Sequence, residues 1–233
     1  MEPDSNVLGR IFGDDRFNYQ NVDLGCHELW LQAVYRSETE RVIVLHDDDM
    51  LAPEFGEAYR NEIKPSLDGG VGFASWRAAL RYDDGSTRPC EYFHGDSRIL
   101  ASSELAGVVT VKGRLSLSPI VSVFNRNVLL HALKDSEGVL PWLRPGMPLG
   151  TEIVAYLRHC QAFKKWLYVN KVLSFYGSHE GSGTVKDENS GALKPLTDGY
   201  DVARTYCART KPGHRAAPRC ILVSCPHEKQ TQK

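Results

Sequence analysis

The stretch Val42-Ile43-Val44-Leu45-His46-Asp47-Asp48-Asp49-Met50-Leu51-Ala52-Pro53 decides how this chain is read. Its first part, with Arg41 ahead of it, is a short continuous run of β-branched and aliphatic residues. Such a run predicts a strand buried on both faces, as strands of a parallel sheet are. It stops abruptly at three aspartates, and Met50-Leu51-Ala52-Pro53 opens a helix expected over roughly 53–64. In an open α/β sheet, ligands bind outside the carboxyl ends of the strands. Three adjacent carboxylates at such an end repel one another, so their assembly calls for a cation. Hard oxygen donors favour Mg2+ or Mn2+. On an extended backbone Asp47 and Asp49 point to the same side, where both can converge on one ion. The competing reading is a solvated turn in which Asp49 contributes to capping the next helix.

The flanking sequence alternates helix and strand signals. Cys26, Leu29, Trp30, Ala33 and Val34 repeat with helical period, predicting a helix over 22–38 with Asp23 as its cap. Strands are expected at Val71–Ala74, Val108–Val111, Ile120–Phe124, Trp166–Val169 and Val172–Phe175, with an Asp-Gly turn at Asp84-Gly85. Further helices are expected at Asn127–Leu133, after Gly150-Thr151 and near 198–209, with a proline-punctuated loop from Pro141 to Pro148. Strands alternating with helices imply an α/β fold with a mixed, mainly parallel sheet flanked by helices.

The composition is that of a globular protein: 42% hydrophobic and 24% charged residues rule out collagen-like, low-complexity and wholly disordered classes. With no apolar run of membrane-spanning length and a polar start lacking a signal-peptide pattern, the expectation is a soluble, cytoplasmic protein whose six cysteines are reduced. Charge is unevenly placed. Residues 204–233 hold seven Lys and Arg against the single acid Glu228, whereas residues 1–203 are net acidic. This divides the chain into a body, 1–203, and a basic tail, 204–233, whose charge suits a polyanionic partner.

Four segments together resemble the GT-A glycosyltransferases, family 2 in particular. Residues 42–53 look like that family's hydrophobic strand, DXD motif and downstream proline. Residues 21–34, NVDLGCHELWLQAV, look like the helix ahead of it. Residues 150–160, GTEIVAYLRHC, resemble the segment with the catalytic carboxylate, and residues 172–184, VLSFYGSHEGSGT, resemble the late strand and its histidine loop. The resemblance implies a Rossmann-related, GT-A-like fold in which part of the usual first βαβ portion is lacking. It also implies a metal-dependent, inverting transfer of a sugar from a nucleoside-diphosphate sugar to an acceptor hydroxyl. Glu152 matches the family's base, and Asp47, Asp49 and His179 match a site for Mn2+ or Mg2+. His46, Asp48, Gly181 and Ser182 fall where the donor would be held, and Trp76 and Trp142 are candidates to stack on an acceptor. That acceptor would be a glycan, a small molecule or, given the basic tail, a hydroxymethylpyrimidine in DNA. Other readings of the same residues are a Mg2+-dependent nucleotidyl or phosphate-ester enzyme and a non-catalytic sugar-nucleotide-binding module.

Overall fold

A computed structural model describes residues 26–46, 48–90, 95–109, 119–137, 142–144, 147–148, 150–178 and 193–209. Helix α1 (Cys26–Arg36) leads to strands β1 (Arg41–Val42) and β2 (Met50–Leu51). Helix α2 follows as one continuous rod, α-helical over Phe55–Ala58, π-helical over Tyr59–Ile63 and α-helical over Lys64–Asp68. Pro65 explains the wide turn. It donates no hydrogen bond and its ring crowds the preceding turn, so the ladder opens and the Lys64 amide reaches back to the Tyr59 carbonyl. Then come β3 (Phe73–Tyr82), β4 (Thr87–Pro89), β5 (Arg98–Ala101), α3 (Ser102–Val109), β6 (Ser122–Asn125) and α4 (Arg126–Glu137). The described chain continues with β7 (Trp142–Arg144), β8 (Met147–Pro148), α5 (Thr151–Ala162), β9 (Lys165–Ser178) and α6 (Leu193–Arg209).

Five strands form the main path in the order β1-β6-β3-β9-β2, with β4 added to β3 and β5 added to β9. The long central pair β3 and β9 is parallel, and the pairings around it are antiparallel. The sheet is therefore mixed, with its parallel character concentrated in that pair. Strand β9 changes its outer partner along its length. Residues 165–168 pair with β5 and residues 174–175 with β2, and the register against β3 slips between these two stretches. A bulge of this kind bends a strand and re-aims its end.

Several expectations change in detail. Residues 41–45 do not form a strand buried on both faces. Only Arg41–Val42 pair, at the sheet edge and antiparallel to β6, and Leu45 is 48% exposed. Val108 and Val109 belong to α3 instead of a strand. Glu104 accepts the Ala101 amide at 3.3 Å, half of a capping box, and the helix it starts buries Leu105 and Val109 four residues apart. The expected loop at 141–148 contains the β7–β8 hairpin, and the two strands expected at 166–175 are one.

The core lies between the sheet and its helices. Phe73 and Trp166, neighbours across β3 and β9, stack at 6.2 Å, and Phe124 meets Tyr156 of α5 edge to face at 5.3 Å. A buried hydroxyl chain ties the layers together. Ser75, Ser122 and Tyr156 follow one another at 2.7 Å each, joining β3, β6 and α5. Asn125 ends β6 and starts α4 in one step, because its side-chain oxygen accepts the amides of Asn127 and Val128. Arg126 next to it caps the end of α1 by donating to the Val34 and Tyr35 carbonyls. No described helix is long and apolar enough to cross a membrane.

His159 on α5 is wholly buried among Phe73, Phe124 and Phe163. Its Nδ1–H donates to the Ala155 carbonyl at 2.7 Å, and its Nε2 accepts the Asn125 amide at 3.1 Å, so the ring is neutral. Burial pushes its pKa down to about 4. The unfolded chain takes up this proton below about pH 6.5 and the folded chain does not. The stabilisation is thus complete above that pH and is lost as pH falls towards 4, about 3 kcal/mol in all. The variant His159→Gln should be less stable at pH 7 but should lose less stability between pH 6.5 and 4 in urea titrations. An equal acid-side loss in both proteins would contradict a buried neutral ring.

Candidate active site

Strands β3 and β9 run in parallel and end together at Tyr82 and Ser178. Residues 43–49 carry the chain from β1 at one edge of the sheet to β2 at the other, where Met50 pairs with Phe175 and Leu51 with Ser174. Asp48 and Asp49 therefore lie at the carboxyl end of β9. The segment is a turn and not the extended backbone expected from sequence. The Asp49 amide bonds the His46 carbonyl at 3.3 Å, closing a four-residue turn. That closure brings the two side chains together, with His46 Nδ1 and Asp49 Oδ2 3.1 Å apart.

Gly177 anchors the turn. Its amide donates to Asp49 Oδ1 at 3.2 Å. A Cβ at Gly177 would stand 2.3 Å from the Asp48 carbonyl oxygen, so the approach of the two backbones requires glycine here. Trp30 of α1 stacks on the His46 ring at 5.3 Å and 17°. The Asp49 side chain is 3% exposed and that of His46 32%, so Asp49 forms the floor of the cluster and His46 its wall. His46, Asp48 and Asp49 each offer a ligand atom, and these atoms lie within 4.8 Å of one another. A set of one imidazole and two carboxylates fits a divalent ion, and the nitrogen donor suits Mn2+ better than Mg2+.

Glu152 stands in the first turn of α5. Gly150 before it takes φ +87°, and a Cβ there would lie 2.9 Å from the Gly199 carbonyl oxygen, so α5 begins hard against α6. Glu152 is half-buried, and burial raises its pKa above the usual carboxylate range. Three groups oppose that rise: its own backbone amide, the hydroxyl of Tyr200, which donates to it, and the charge of His46. Of the described residues in the acidic turn, His46 is the one whose charge reaches Glu152. A carboxylate at a helix N-terminus with a raised pKa is suited to proton transfer.

The structure thus brings together His46, Asp48 and Asp49, and the charge of His46 reaches Glu152. Asp47, His179, Gly181, Ser182 and the side chain of Trp142 lie outside the described residues, as does the chain beyond Arg209. Trp76 is placed differently from the expectation. It is wholly buried against Phe55 and donates from Nε1 to Ser174 Oγ at 3.0 Å, so it is a core residue with no face free for an acceptor. Trp30 and Tyr200 were not singled out from sequence as parts of a site. Gly177 stood at the start of a glycine-rich stretch, but nothing local to Trp30 or Tyr200 marks which distant side chain they touch.

No family model and no curated protein matches this sequence. Among solved structures, S. aureus TarS (residues 1–349) is similar, with a TM-score of 0.50 at 12% identity. The match covers 89% of this chain and 59% of that one. The fold is GT-A-like. At that identity the likeness speaks for architecture alone. Within a GT-A-like sheet, the acidic turn and Glu152 occupy the end at which such open sheets form their crevice.

The contact at Gly177 is testable. Gly177→Ala should destabilise the protein by about 1–3 kcal/mol, as insertion of a methyl into a closed contact does. It should also abolish any stabilisation by added Mn2+. Urea unfolding with and without Mn2+ reads both, and a Gly177→Ala variant matching the parent in each would contradict the contact.

Proposed function

We propose that the protein is a metal-dependent, inverting glycosyltransferase that moves a sugar from a nucleoside-diphosphate sugar to an acceptor hydroxyl. The observation that carries this reading is the cluster of His46, Asp48 and Asp49 at the carboxyl end of a GT-A-like sheet, with Glu152 within reach of the His46 charge. Asp48 and Asp49, with His46 and the sequence candidates Asp47 and His179, would hold Mn2+ or Mg2+. When bound, the ion supplies positive charge to the leaving diphosphate.

The chain's own residues supply the rest. The Gly177 amide holds Oδ1 of Asp49, and His46 Nδ1 stands 3.1 Å from Oδ2, so the carboxylate is oriented before any ligand arrives. Trp30 fixes the plane of His46. Glu152 accepts the proton of the acceptor hydroxyl as that oxygen attacks the anomeric carbon. The bond from carbon to acceptor oxygen forms while the bond to the diphosphate breaks on the opposite face, which inverts the configuration. The raised pKa of Glu152 makes it a better proton acceptor than a solvent-exposed carboxylate, while Tyr200 and His46 favour the ionised form that must do the accepting.

Two substitutions separate binding from chemistry. Asp49→Asn should abolish Mn2+-dependent thermal stabilisation by nucleotide sugars. Glu152→Gln should leave that stabilisation in place and lower turnover at least about a hundredfold. A thermal-shift and hydrolysis screen of UDP-, GDP- and dTDP-sugars with Mn2+ and Mg2+ is the measurement. Equal behaviour of both variants and the parent would overturn the reading.

A further inference from the structure

We infer that Tyr200 is the positioning residue for Glu152, and that α6 exists in this site to hold its hydroxyl against that carboxylate. The inference rests on the reading of Glu152 as the base. Three features of the packing carry it. First, α6 meets α5 at the glycines: the methyl that Gly150 lacks would collide with the Gly199 carbonyl at 2.9 Å and the Ala203 Cβ at 3.1 Å. This close approach sets Tyr200, the residue after Gly199, beside Glu152, two residues after Gly150. The Tyr200 hydroxyl donates to the Glu152 carboxylate there.

Second, Tyr200 is itself held. The Arg204 guanidinium lies over its ring at 5.9 Å. Arg204 is fixed in turn by donating from Nε to the Val109 carbonyl at the end of α3, at 2.8 Å, and by pairing with Asp201 at 3.0 Å. Third, α6 is fastened to the other end of α5 as well. Gln161 donates to the Cys207 carbonyl at 2.8 Å, and Arg158 lies over the Tyr206 ring at 5.3 Å. A helix pinned at both ends has little freedom to withdraw its tyrosine. The Tyr200 hydroxyl, with the Glu152 amide, fixes the rotamer of Glu152, and a carboxylate holding two donors still has lone pairs for a substrate proton.

Among the described titratable groups, Tyr200 from α6 and His46 from the acidic turn act on Glu152, and Glu152 in turn acts on Tyr156 of α5. Tyr200 and His46 favour the ionised carboxylate, so removing the Tyr200 hydroxyl raises the pKa of Glu152 and moves the acid limb of a pH–rate profile to higher pH.

The test uses the full chain with 13C-labelled glutamate carboxyls, the Glu152 resonance being assigned by its loss in Glu152→Gln. In Tyr200→Phe, which keeps the ring and the Arg204 contact, the Glu152 titration midpoint should rise while thermal stability stays within about 2 °C of the parent. Stabilisation by Mn2+ with UDP, used as the probe, should be unchanged. Hydrolysis of a UDP-sugar should slow by about tenfold or more in kcat, with KM altered less than about twofold. The double variant Tyr200→Phe/Glu152→Gln should be no slower than Glu152→Gln alone. An unmoved Glu152 titration overturns the inference, and so does a kinetic loss that multiplies fully with that of Glu152→Gln. If the titration moves but Glu152→Gln turns over like the parent, the contact stands and the base assignment under the proposed function falls.

Discussion

The site depends on one contact, the seating of the acidic turn on the end of β9. Two carboxylates and an imidazole crowded into a few ångströms do not assemble by themselves, since the carboxylates repel. Here the assembly is imposed by the backbone. The bulged strand β9 delivers Gly177, whose missing side chain lets the Asp48 backbone come within a distance no Cβ would permit. The Gly177 amide then donates to Asp49 Oδ1, and His46 Nδ1 stands 3.1 Å from Oδ2. The antiparallel pairing of β2 with β9 immediately afterwards fixes the register of the turn. The geometry that a cation would meet is therefore built by main-chain pairing, and the side chains follow from it.

The second half of the site is held from another direction. Glu152 is placed by α5, which is positioned by the sheet below it through Tyr156 and His159 and by α6 through the close approach at Gly150. The two halves meet electrostatically at His46, which stands next to Asp49 and also acts on Glu152. Division of labour of this kind lets the acidic turn respond to a ligand while the base keeps its place.

Much of the architecture was legible in the chain. The helical periods at 26–36 and 150–160, the Asp-Gly turn after β3 and the hydrophobic runs of β3 and β9 all mark their elements, because each signal is local. What failed depended on tertiary pairing. Ile43 and Val44 read as a buried parallel strand, yet the chain there leaves the sheet edge to cross towards β2. Val108 and Val109 have strand-like side chains, but the Glu104 cap starts a helix that carries them along. By sequence Trp76 is either a stacking surface or a core residue, and the packing of Phe55 and Ser174 shows that it is interior. In the site, Asp49 and Glu152 could be picked out from their places after a strand and at a helix start. The turn that joins His46 to Asp49, the glycine that admits it and the tyrosine on Glu152 could not, since each joins residues whose spacing carries no pattern.

The most direct measurement is an anomalous difference map from crystals of the full chain grown with Mn2+ and UDP. A manganese peak within about 2.2 Å of carboxylate oxygens of Asp48 or Asp49, with the diphosphate on its far side and Glu152 facing the same space, is the expected result. Manganese bound elsewhere, with the acidic turn and Glu152 facing no common ligand, would contradict it.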